Sequence, residues 1–255
     1  MPREYLSLKI NYCRQQLALM PIVSLQRIKK EDNEKLRVCV DNHKFISNSA
    51  EGKKYLSLYK ERECIERELR LYEAVWESFF IGEPSNDCTP LMANRTIWVD
   101  TNKQVILNKT YFDSLKNDAN KKFPKPLIYK FNGIYYRSAA ERDIAIFYTE
   151  MGIPFKYEPE VFLKGLVKPV YPDFVPYIKE IDACKFHEHF GMKDYSDYLR
   201  TIGVKFSNFA NAGLIQDLDV LFTYSNDDSV VDPRHLSSKL NSAIYGTICI
   251  SKTDI

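Results

Sequence analysis

Tyr171-Pro172-Asp173-Phe174 and His187-Glu188-His189-Phe190-Gly191 decide how this 255-residue chain is read. Each is a short apolar run carrying one acid, and a turn separates the two. Side chains alternate along a strand. Tyr171, Asp173 and Val175 therefore share a face of the first strand, and Cys184, Phe186, Glu188 and Phe190 share a face of the second. Paired as a hairpin, the strands bring Asp173 and Glu188 side by side near one end. Two carboxylates that close repel, and one takes up a proton unless a cation sits between them. Oxygen ligands of this kind suit Mg2+ or Mn2+. Such an ion lowers the pKa of a water it holds and offsets charge on a phosphodiester under attack.

Working outward, Leu127 to Arg137 reads as a hairpin turning at Asn132-Gly133. Ser138 to Met151 has Ala140, Ile144, Phe147 and Met151 on one helical face, and Gly152 follows as a C-cap. Strands are expected at Phe155–Leu163, Val170–Ile178 and Asp182–His189. A helix over Asp194–Ala210, a strand over Leu218–Tyr224 and a helix from Pro233 to about Ile244 complete the order. This succession predicts an α/β fold, a mixed central sheet with helices on its faces.

The N-terminal part reads differently. Leu6, Ile10, Cys13 and Leu17 form one face of a first helix. Leu36 to Ile46 suggests two short strands around Asp41-Asn42-His43. A long helix runs from about Glu51 to Phe80, with charges of alternating sign in its middle. Its buried stripe would be Leu56, Tyr59, Ile65, Leu69, Tyr72, Val75 and Trp76, and a homodimer could form through it. Thr101 to Lys125 is polar and lysine-rich and reads as a connector. The expected division is therefore an N-terminal helical and hairpin region, 1–120, ahead of a second domain, 121–255.

Composition narrows the classes. Charged residues make up 27% and the formal net charge is +2, so any basic groove must be local. There are only 9 glycines and no glycine-rich phosphate loop. Six scattered cysteines without a C-x-x-C pair read as free thiols of a reducing compartment. No signal peptide opens the sequence and no apolar run is long enough for a bilayer, so a cytoplasmic chain without a membrane partner is expected.

Four motifs now stand in order: Arg137-Ser138-x-x-Glu141, Gly152-Ile153-Pro154-Phe155-x-Tyr157-Glu158, Tyr171-Pro172-Asp173-Phe174 and Glu188-His189-Phe190-Gly191. In order and spacing they resemble a group of bacterial and phage proteins in the PD-(D/E)XK nuclease superfamily, over about residues 127–225. The resemblance implies a restriction-endonuclease-like core preceded by a helical region with a small hairpin. It implies that Asp173 and Glu188 are metal ligands and that Glu141 holds the metal or its water. Ser138-Ala139-Ala140-Glu141 is also a capping box, which is the competing reading of Glu141.

The pattern breaks two residues after Glu188, where the superfamily usually carries lysine and this chain has Phe190. His189 and Lys205 are the candidate replacements. Alternation points His189 to the other face, whereas Lys205 stands at the edge of a helix face formed by Tyr195, Tyr198, Leu199, Ile202, Phe206 and Phe209. Cys184-x-x-His187-x-His189 offers zinc ligands, but its cysteine and histidines fall on opposite strand faces. Arg137, Lys130 and Lys156 could meet phosphates, and Tyr135, Tyr136 and Tyr157 could stack on bases or pack. The reading that results is a Mg2+- or Mn2+-dependent nuclease acting on nucleic acid, DNA before RNA. Its alternative is an inactive nuclease-like protein that binds nucleic acid or a protein partner.

Overall fold

The computed structural model describes residues 3–30, 33–84, 96–99, 103–122, 124–191, 195–225 and 231–253. It divides into two compact units, Met1–Thr89 and Pro90–Ile255.

The first unit runs α1 (Arg3–Leu19), β1 (Val23–Lys30), β2 (Asn33–Val40), β3 (His43–Ile46) and α2 (Ala50–Phe79). The strands form an antiparallel meander in which Val23 faces Val40 and Arg37 faces Ile46. The turn between β2 and β3 is the expected one, with Asp41 at φ 50. Strand β1 was not foreseen. Its Val23 and Leu25 pack with Val38 and Val40 against Tyr55, Leu56 and Tyr59 of α2. Farther along α2, Trp76 packs with Leu6 and Ile10 of α1. Ser49 caps α2, its Oγ accepting the Gly52 N–H at 3.0 Å. A Cβ at Gly52 would lie 1.9 Å from the Ile46 carbonyl oxygen, so only glycine fits this approach.

The second unit begins with β4 (Thr96–Trp98), β5 (Gln104–Ile106) and α3 (Lys109–Ser114). This corrects the expected connector and the boundary at 120. Ile97, Leu107, Phe112 and Leu115 are buried in the same core as Val175, Phe186 and Phe222. The lysines between them sit on the exposed side of short elements, which is why the segment looks polar in sequence. The hairpin β6 (Lys130–Phe131) and β7 (Ile134–Tyr135) follows, turning at Asn132 (φ 46) and Gly133 (φ 81). Then come α4 (Ala139–Glu150), β8 (Phe155–Tyr157), β9 (Phe174–Ile178), a 3-10 turn (Lys179–Ile181), β10 (Ala183–Cys184) and β11 (Phe186–Gly191). The chain continues through α5 (Tyr195–Asn211), β12 (Val220–Ser225) and α6 (Pro233–Thr253).

The fold is α/β with a mixed sheet. β9 pairs antiparallel with β8 on one edge and with β10 and β11 on the other, and β11 pairs parallel with β12. A parallel pair needs a crossover, and α5 supplies it. Alternation sorts the sheet into two faces. Val175, Phe186, Phe190, Val220 and Phe222 face α5, whose Phe209 lies 5.7 Å from the Phe186 ring. Phe174, His187 and Thr223 face the other way, toward Tyr148 of α4. Strand β8 stops at Tyr157 instead of running to Leu163, because Glu158 takes a left-handed backbone at φ 40. The thiols of Cys13, Cys39, Cys64 and Cys184 are free; Cys88 and the side chain of Cys249 lie outside the described part. Among the described residues no helix is long and apolar enough to cross a membrane.

Candidate active site

The ladder register builds the site. Phe174 pairs with His187, which sets Asp173 opposite Glu188 one step farther along. The two carboxyl groups come within hydrogen-bonding reach of each other. Glu188 is 2% exposed, and the Lys205 ammonium of α5 donates to its Oε2 at 2.5 Å. The Lys205 side chain remains 35% exposed and lies 5.7 Å from the centre of the Phe190 ring. Phe190 itself is buried and stacked on Phe222, 5.6 Å between ring centres. The position where the superfamily resemblance expects lysine is thus part of the core, and a cation reaches Glu188 from the next helix. Of the apolar face expected on α5, Ile202 and Phe209 pack in that core; the side chains of Tyr195, Tyr198 and Leu199 lie outside the described part.

Asp173 Oδ2 accepts the His189 backbone N–H at 2.7 Å. The His189 ring is turned to the opposite face, where Nδ1 meets Thr223 Oγ1 at 2.9 Å and Nε2 meets Ser225 Oγ at 3.4 Å. His187 shares that face, between Tyr148 (2.8 Å) and Thr223 (2.7 Å). Alternation along β11 separates both histidines from Cys184, whose Sγ donates to the Asn108 carbonyl.

At Glu141 the structure shows the Ser138 half of the expected cap and a carboxylate turned to other partners. The Glu141 N–H donates to Ser138 Oγ at 3.1 Å, the N-cap bond. Its carboxylate, however, reaches past the cap, and Oε2 accepts the Arg137 N–H at 3.1 Å and the Tyr157 hydroxyl at 2.6 Å. Arg137 in turn grips Glu158 with two bonds, at 2.6 and 3.1 Å. Asn120 donates to Glu158 at 2.9 Å, and Lys125 stands 3.4 Å from it while pairing with Asp118. The Glu158 N–H donates to the Asp173 carbonyl at 3.0 Å, so this cluster buttresses the strand that carries the first acid.

Burial raises the pKa of all three acids. For Glu188 the neighbouring Asp173 adds to the rise, against Lys205. For Asp173, Lys205 and the His189 N–H oppose it. For Glu141 the charge of Asp173 adds, against the Tyr157 and Arg137 bonds. Asp173 thus acts on both glutamates, and burial opposes ionisation at all three. Adjacent carboxylate oxygens are the donor type that a hard divalent cation takes. The donor chemistry fits such an ion, with Asp173 and Glu188 as the adjacent pair. Among the described residues no group of three or more His, Cys, Asp or Glu side chains is placed to hold a metal ion. Glu141, engaged with Tyr157, stands behind the pair.

Other sequence candidates are placed elsewhere. Tyr136 and Tyr157 are buried in the core, so of the two readings left open for them packing is the one observed. Arg137 is held by Glu158. The Lys156 ammonium lies over the Phe112 ring, and that of Lys130 over the Tyr135 ring. The buttress of Asp118, Asn120, Lys125 and Glu158 was missed in sequence. Its one visible signal was Glu158 in the second motif, because its partners lay in the stretch read as a connector.

Comparison with models of known protein families, with curated proteins and with solved structures finds no match for this chain.

Proposed function

We propose that the second unit is a metal-dependent nuclease with a PD-(D/E)XK-type, restriction-endonuclease-like core that hydrolyses phosphodiester bonds of DNA with Mg2+ or Mn2+. One observation carries the reading: Asp173 and Glu188 face each other across antiparallel strands, with Lys205 bonded to Glu188. The motif resemblance supports the same assignment.

Asp173 and Glu188 would hold the ion, which supplies positive charge against the phosphate and acidifies water. Glu141 accepts a proton or orients the attacking water beside the pair. Lys205, a third exposed and borne on α5, can swing from Glu188 to a phosphate oxygen and offset the charge that develops there. The His189 backbone N–H holds Asp173 in place; its ring takes no part.

Incubating the full chain with Mg2+ or Mn2+ and single-stranded, duplex and branched DNA and RNA tests this. Cleavage is expected with the wild type and not with Asp173→Asn. Substrates left intact by a folded wild type with either metal would defeat it.

The burial of Phe190 at the usual lysine position favours a second reading, a nuclease-like protein that binds nucleic acid without cutting. In that case nucleic-acid binding is independent of Asp173 and Mn2+ leaves the melting temperature unchanged.

A further inference from the structure

Tyr157 ends β8 with its side chain wholly buried. Its ring packs 4.6 Å from Tyr136 and 5.4 Å from Phe174, and the Lys125 ammonium covers it at 4.2 Å from the centroid. The hydroxyl has one proton to donate, and donates it to Glu141 Oε2 at 2.6 Å. The same hydroxyl accepts the Arg137 N–H at 3.2 Å, and that N–H also reaches Oε2 at 3.1 Å. Oε2 thus has two donors, while Oε1 has no hydrogen-bond partner among the described residues. The next residue, Glu158, is fixed by its left-handed backbone and by Arg137, so Tyr157 has little room to move.

We infer that Tyr157 is a positioning residue: by occupying Oε2 of Glu141 it leaves Oε1 as the single carboxylate oxygen available toward the Asp173–Glu188 pair. This rests on the proposed metal-dependent function and adds to it a residue that touches neither metal nor substrate. A carboxylate held at one oxygen presents the other in one orientation, which is how outer hydrogen-bond partners tune a metal site. Packing alone would not require the hydroxyl to point at Glu141. Tyr148 provides the contrast, a buried tyrosine that also packs on Phe174 but whose hydroxyl meets His187.

The test is Mn2+ affinity by calorimetry on the full chain: wild type, Tyr157→Phe, Glu141→Gln, the double variant and Tyr148→Phe. Melting temperatures establish that each is folded. Tyr157→Phe keeps the ring and should weaken Mn2+ binding roughly 10-fold, the low end for such outer partners. The double variant should bind no more weakly than Glu141→Gln, since Tyr157 acts through Glu141. Tyr148→Phe should bind as the wild type does. Glu141→Asp, one methylene short of Tyr157, is a second variant and should lose affinity to a similar extent. Unchanged affinity in Tyr157→Phe or in Glu141→Asp, or losses that multiply in the double variant, would overturn the inference. A wild type that binds no Mn2+ would overturn the proposed function and this inference together.

Discussion

β11 buries polar groups on both faces, to nearly the same depth and to opposite effect. Glu188 is 2% exposed and His187 is fully buried. His187 has a partner on each ring nitrogen, Tyr148 and Thr223, and Thr223 passes the chain on to His189. A neutral imidazole has one donor and one acceptor, so His187 is satisfied without a charge of its own; Lys185, on the same face, donates to Thr247 Oγ1 at 2.8 Å. Glu188 meets another carboxyl group and a single lysine, and a third acid stands beyond. The bonds of His187 tie α4, through Tyr148, to β11 and β12. The acid face sets two buried carboxyl groups side by side, with Lys205 bonded to one of them. Burial of polar groups does not mark a site by itself; what distinguishes this face is two buried acids set side by side.

Substitutions can break that contrast. The largest effect belongs to Glu188→Gln and Asp173→Asn. Each should lower DNA cleavage about 10^3-fold, the upper range for removing one group that manages transition-state charge. Neither should lower the melting temperature, because each removes one of two acids that oppose each other. Marked unfolding of both variants would mean the pair is structural. Next comes Lys205→Met, with a loss of about 10^2-fold in cleavage at saturating metal. Unchanged cleavage would take Lys205 out of the site and reopen the question that Phe190 raises. On the other face the order reverses. Thr223→Val leaves His187 and His189 each short of a partner and should cost about 2 kcal/mol or more in denaturant unfolding. Its cleavage per folded molecule should stay within a few-fold of the wild type. If Thr223→Val abolished cleavage while staying folded, the two faces would not be separable.

Much of this contrast could be read in advance because it depends on local rules. Alternation put Asp173 with Val175, and Glu188 with Phe186 and Phe190, and the register joined them. The same alternation turned His189 away. Asn132-Gly133 and the Ser138 cap are set by backbone chemistry within four residues, and both stand where expected. What was missed depends on partners distant in sequence. Glu158 is gripped by Asn120 and Arg137, 38 and 21 residues away, and nothing in its own neighbourhood announces them. Phe112 lies in α3, and Leu107 and Leu115 just beyond β5 and α3, elements too short to show a period, so the lysines around them dominated the reading. Tyr136 and Tyr157 could face solvent or core on the same pattern, and only the packing of Phe174 between the strands and α4 decides for the core.

The smallest expected effect is a difference in how stability follows pH, and it tests the comparison on a single strand. Burial, then the neighbouring His189 and His235, pushes His187 down from 6.5 to about 3. A histidine with a lowered folded pKa contributes stability that is intact above 6.5 and is lost as pH falls below it. Burial and Asp173 push Glu188 up from its usual 4.5. An acid with a raised folded pKa contributes stability that is intact below 4.5 and is lost as pH climbs through its raised range. Replacing each group by a side chain that does not titrate removes its part of the slope. Relative to the wild type, His187→Asn should therefore gain melting temperature as pH falls from 7 to 5. Glu188→Gln should gain as pH rises from 5 to 9, and Mn2+ added to the wild type should recover part of that gain by stabilising the ionised pair. Each shift should be a few degrees, since about 1 kcal/mol moves a unit of this size roughly 2–4 °C. Differences of the same sign for both variants would show that β11 holds one electrostatic environment and not two.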